Sequence, residues 1–85
     1  MGFIAITFRS RAHTVKFSEI LRRNGVSNEI INTPKEAGVG CGLSVKISPS
    51  NFIFAKRLVK NAVFSSFAGF FLVKLYAGRR IVKSI

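Results

Sequence analysis

The chain's only cysteine, Cys41, lies in the stretch TPKEAGVGCG (residues 33–42), where three glycines fall within ten positions. Sulfur chemistry belongs to the thiolate, and a free cysteine, with a pKa of about 8.5, is mostly protonated at neutral pH. Three features could favour the anion: the positive field of a basic chain, Lys35 six residues upstream, and backbone N–H groups of Gly38–Gly42 turned inward as a nest. Glycines at Gly40 and Gly42 would also leave room above the sulfur for a second chalcogen atom or a partner's active site. On that reading Cys41 is a reactive thiol. A second reading stays open beside it, because free cysteine often serves as a small buried hydrophobe. The glycines would then be a long hairpin connection.

Other reactive side chains are few. His13 could tune Cys41 or relay a proton, since imidazole titrates near neutrality, or it could be a helix-start residue at the edge of the core. Ser10 suits an N-cap better than a nucleophile, because no acid is placed to complete a triad. One Cys and one His cannot supply the four ligands of a structural zinc site within one chain, so no metal is expected. No cofactor-binding motif is present, and none is expected.

These residues need elements to hold them. Phe3, Ile4, Ala5, Ile6 and Phe8 read as a first strand, after which Ser10 offers an N-cap oxygen. From Arg11 to Asn24 a helix places His13, Phe17, Ile20, Leu21 and Asn24 on one side, carries Arg22 and Arg23 in its last turn and stops at Gly25. Val26 to Thr33 predicts a second strand ended by Pro34. Leu43, Val45 and Ile47 alternate with Ser44, Lys46 and Ser48 as a third strand with one wet face. Pro49 and Ser50 open a second helix whose inner face carries Phe52, Ala55, Leu58, Val59, Ala62, Val63 and Ser66. The run FAGFFLVKLY (Phe67 to Tyr76) predicts a buried strand, and a turn at Ala77 and Gly78 leads to a basic tail, expected to form a short edge strand or to fray. The order βαββαβ predicts an α+β, ferredoxin-like split arrangement, an antiparallel sheet with two helices on one face. Residues 1–85 are expected to form one domain.

Composition narrows the functional classes. Nine Phe and a 48% hydrophobic share exclude a disordered chain, and the longest uncharged run, Asn61 to Val73, is too short to span a membrane. Fourteen Lys and Arg against Glu19, Glu29 and Glu36 give a formal net charge of +11, which attracts anionic partners without naming one. A lone cysteine points to a reducing compartment, and the protein is expected to be cytoplasmic.

The segments ITFRSRAHTVKFSEILRRNGV and TPKEAGVGCGLSVKI together resemble the selenium/sulfur carrier-like family, a group of small bacterial domains. The residues that carry the resemblance are Thr7, Phe8, Ser10, His13, Gly25, Thr33, Pro34, Cys41 and Gly42, and it covers residues 4–47, about half the chain. The T-P and C-G pairs are its most specific part. The resemblance implies a carrier protein rather than a stand-alone enzyme. Cys41 would hold sulfur or selenium as a persulfide or selenopersulfide between a donor and an acceptor protein. Pro34, Lys35, Gly40, Gly42, Ser10 and His13 would support it.

Two other classes compete with that expectation. A basic module could bind nucleic acid through Arg22, Arg23, Arg79 and Arg80, with Cys41 structural. Gly69, Phe70 and Val73 partly match an RNA-binding strand motif, but they follow the second helix, whereas that motif belongs on the third strand. A protein-interaction module is the other rival. Phe52, Phe54, Phe64, Phe67, Phe70 and Phe71 exceed what a small core needs, so some could serve a homodimer.

Overall fold

The computed structural model describes residues 2–62 and 64–85. Its elements, in chain order, are β1 (Gly2–Phe8), α1 (Arg11–Arg23), β2 (Glu29–Asn32), a 3₁₀ turn (Lys35–Ala37), β3 (Leu43–Ile47), a second 3₁₀ turn (Pro49–Asn51), α2 (Phe52–Ala62), β4 (Phe67–Tyr76) and β5 (Arg79–Ser84). All five strands form one sheet in the order β2-β3-β1-β4-β5, and every neighbouring pair is antiparallel. The class is the expected α+β. The first four strands are compatible with the ferredoxin-like order, and β5 extends the sheet at the β4 edge.

Local chemistry sets the ends of α1. The Ser10 hydroxyl accepts from the His13 N–H at 3.2 Å, and at the other end Gly25, at φ +76°, completes a Schellman closure. Gly25 N–H donates to Arg22 O at 3.1 Å and Val26 N–H to Leu21 O at 2.9 Å. That closure shortens the strand expected from Val26. The Asn28 amide, bonded to Ser18 O and Val26 O, ties the following residues to the helix, so pairing with β3 begins only at Glu29. α2 ends at Ala62. Ser66, expected on its inner face, lies instead in the turn before β4, where its carbonyl accepts from Arg9 N–H at 2.7 Å. Val63, expected on the same face, lies outside the described residues.

Alternation along β1 divides the sheet into two faces. Ile4, Ile6 and Phe8, with Val45, Ile47 and Phe70, meet Phe17 and Leu21 of α1 and Ala55 and Val59 of α2, so both helices cover one face. Phe8 is fully buried among Phe17, Phe64 and Phe67 at centroid distances of 5.2–5.9 Å. Burying such a side chain contributes about 2–3 kcal/mol. Phe52, Phe64, Phe67, Phe70 and Phe71 all pack in or against the core, and only Phe54 of the six aromatics weighed above for a dimer is exposed.

The opposite face is also covered in its middle. Ala5, Phe71 and Val73 are buried there, packed with Phe3, Val82 and Ala37. Ala37 belongs to the β2–β3 loop, so the 3₁₀ turn of that loop lies over the sheet.

At the foot of the sheet Ala77 (φ +51°) and Gly78 (φ +76°) make a tight two-residue turn joining β4 to β5. The tail is thus an ordered edge strand. No helix among the described residues is long and apolar enough to cross a membrane.

Candidate functional site

Cys41 closes the β2–β3 loop one residue before Gly42 leads into β3. Its N–H donates to Phe8 O at 3.0 Å, at the last residue of β1, and Thr33 N–H donates to Gly42 O at 2.8 Å across the loop's base. Both neighbours hold φ values that favour glycine, +93° at Gly40 and +95° at Gly42. The chain passes close beneath: a Cβ on Gly40 would stand 3.1 Å from Phe8 O. Two reversals of backbone in three residues are what let Cys41 tuck its N–H against β1 while the chain turns into β3.

Cys41 is half-buried. Sγ lies 3.7 Å from Thr14 Oγ1 and 3.7 Å from Leu43 O, to which the thiol donates. Thr14 is fully buried in the first turn of α1, and its hydroxyl donates to Ser10 O at 3.1 Å. The Thr14 proton therefore has two acceptors within reach. It serves Ser10 O when Cys41 is a thiol, and rotation about the Cβ–Oγ1 bond would turn it to Sγ when the thiol proton has left. The amino end of α1 also lies here, with Arg9 and Arg11 on either side of the cap and no acid in its first turn. Helix starts usually carry acids, because the dipole's positive end is there. Two cations at that position cost helix stability and raise the positive potential around the loop.

The expected supporting residues are partly assembled. Gly40, Cys41 and Gly42 form the turn itself, and Ser10 is linked to the sulfur through Thr14. Pro34 is buried and precedes the 3₁₀ turn, while Lys35 stands exposed on that turn. His13 faces elsewhere: its Nδ1 is hydrogen-bonded to Ser66 Oγ and its ring stands edge-on to Phe64 at 5.2 Å. Among the described residues no hydrogen bond joins His13 or Lys35 to the Cys41 sulfur.

Thr14 was not among the residues expected at the site. The signal was present, since positions 14, 17, 18 and 21 make a helical stripe and its two polar members are small enough to be buried.

The arginines considered for nucleic acid do not share one surface. Arg22 and Arg23 end α1 on the helix layer, whereas Arg80 reaches the opposite face, where its guanidinium grips Glu36.

The chain belongs to the family described as "putative Se/S carrier protein-like", whose model matches residues 4–65. That match extends beyond residues 4–47, which first carried the resemblance, through α2, and stops short of β4 and β5. No curated protein and no solved structure is matched by the chain.

Proposed function

We propose that the protein carries sulfur or selenium on Cys41 and passes it to a partner protein in the reducing cytoplasm. The observation that carries this reading is the half-buried Cys41 in the C-G turn, held between two positive-φ glycines with its sulfur beside the Thr14 hydroxyl. A carrier thiol must be reachable by a second sulfur, yet sheltered enough that the loaded atom is not lost to the first thiol in solution.

The chemistry is an exchange without net oxidation. The Cys41 thiol gives its proton to solvent, and the resulting thiolate attacks the outer sulfur of a donor persulfide. A bond forms between Sγ and that sulfur, the donor's own S–S bond breaks, and the electron pair leaves with the donor's inner sulfur as a thiolate. An outer selenium atom moves in the same way. Delivery reverses the roles, with an acceptor nucleophile taking the outer atom and Cys41 leaving as thiolate. Thr14 Oγ–H would donate to the anionic sulfur at either stage, and Gly38, Gly40 and Gly42, exposed and without side chains, flank the thiol in the chain.

The test is direct. Purified protein incubated with a cysteine desulfurase and cysteine should gain the mass of one sulfur atom, and Cys41→Ala should gain none. A wild-type mass that does not change refutes the carrier reading.

A further inference from the structure

The Cys41 loop is fastened at a second point, on a strand beyond the family match. Arg80, on β5, donates from Nη2 to Glu36 Oε1 at 2.7 Å and from Nε to Glu36 Oε2 at 3.0 Å, a two-bond fork that fixes direction as well as distance. Next to Glu36, Ala37 packs on the sheet face with Phe71, Val73 and Val82. The loop therefore lies between two anchors, the Arg80 fork and the Cys41 N–H on Phe8 O. Between them are Gly38, Val39 and Gly40, and both glycines are at positive φ. Such a segment has little stiffness of its own.

Charge makes the pairing selective. Glu36 is the only acid in the loop and one of three in the chain, and Glu29 is already within 3.6 Å of Lys46. Arg80 instead takes the one carboxylate that can hold the loop down. We propose that Arg80 and Glu36 are positioning residues for Cys41, a latch by which β5 sets where the loop lies and keeps the sulfur beside Thr14. The inference rests on the carrier reading for what the thiol does, but not for where it is held. It also gives β5, outside the segment the family shares, a part in presenting the thiol.

Exposed ion pairs contribute little to global stability, so the effect is local. Two singles, Arg80→Gln and Glu36→Gln, and the exchange E36R/R80E separate geometry from charge in the full chain. Freed from β5, the loop should expose Sγ to small reagents while ceasing to present it to a protein. Alkylation of Cys41 by iodoacetamide should therefore rise about two- to fivefold in each single variant, a range set by the modest strength of exposed pairs. Sulfur loading from a desulfurase should fall by a similar factor. The exchange variant, which restores an ion pair with the sense reversed, should return both rates toward wild type, a recovery that general destabilisation would not produce. Unchanged alkylation in both singles overturns the latch, as does an exchange variant that behaves like the singles. If the wild type takes up no sulfur at all, the carrier reading fails and the alkylation arm still decides the latch.

Discussion

Replacing Gly40 by alanine tests how the Cys41 turn is built. Its φ of +93° is a conformation that side-chain-bearing residues rarely adopt, and holding one there costs about 1–3 kcal/mol. A second cost comes from crowding. The new methyl would sit 3.1 Å from Phe8 O and 3.6 Å from the Thr7 Cβ, and Phe8 O cannot recede without stretching the 3.0 Å bond it accepts from Cys41 N–H. Gly42 separates the two costs, because its φ of +95° is equally strained but nothing lies within 4 Å of a Cβ there. Gly25, at φ +76° in the α1 closure and likewise open, is a control away from the loop. The expected losses are about 2–3 kcal/mol for Gly40→Ala, about 1–2 for Gly42→Ala and about 1 for Gly25→Ala. Urea unfolding with a common m-value reads them, and iodoacetamide kinetics on the folded proteins should show altered Cys41 reactivity for the first two only. A Gly40→Ala protein no less stable than Gly42→Ala would refute the claim that the loop is pressed onto the end of β1.

Thr14→Val keeps the volume but removes the hydroxyl beside Sγ, so sulfur loading should slow by about two- to tenfold, the range of one net hydrogen bond, while Thr14→Ser should recover most of it. The hydrogen bonds from Arg80 hold the Glu36 carboxyl below its ordinary value of 4.5, with smaller help from its own backbone N–H and the nearby positive charges. A carboxylate depressed in the folded state contributes above its unfolded pKa, and that contribution is lost as pH falls through the folded one. The fork should therefore persist throughout the neutral range and release only in acid. A carbon-detected titration of Glu36 should give a midpoint below 4.5 that moves back up in Arg80→Gln, and an unmoved midpoint would contradict the pairing.

Much of the fold was legible because its signals are local. Ser10 and Gly25 bracket α1 by capping chemistry, the alternation from Leu43 to Ile47 marks β3, and the aromatic run from Phe67 to Tyr76 is β4 to the residue. Shortfalls came where a side chain reaches across the fold. The expected strand from Val26 begins late because Asn28 is bound to Ser18, and Ser66 leaves the helix to meet Arg9 and His13. The same limit applies to the site. Composition singled out Cys41 and its glycines, but Thr14 beneath the sulfur and Arg80 latching the loop depend on contacts 27 and 44 residues apart. Nothing in local periodicity encodes such distances: β2 and β5 are opposite edges of the sheet, and Glu36 meets Arg80 because the loop's 3₁₀ turn lies across the face, while Thr14 comes from the helix layer.

The central claim is that the chalcogen travels on Cys41 itself. Protein loaded by a desulfurase, trapped with a thiol-capping reagent and fragmented in the mass spectrometer should carry one additional sulfur, or selenium when selenocysteine is supplied, on the fragment holding Cys41. Exposure to an acceptor thiol should then return that fragment to its original mass. A protein that gains the atom elsewhere, or whose Cys41 fragment stays unmodified while the desulfurase turns over, would contradict the account.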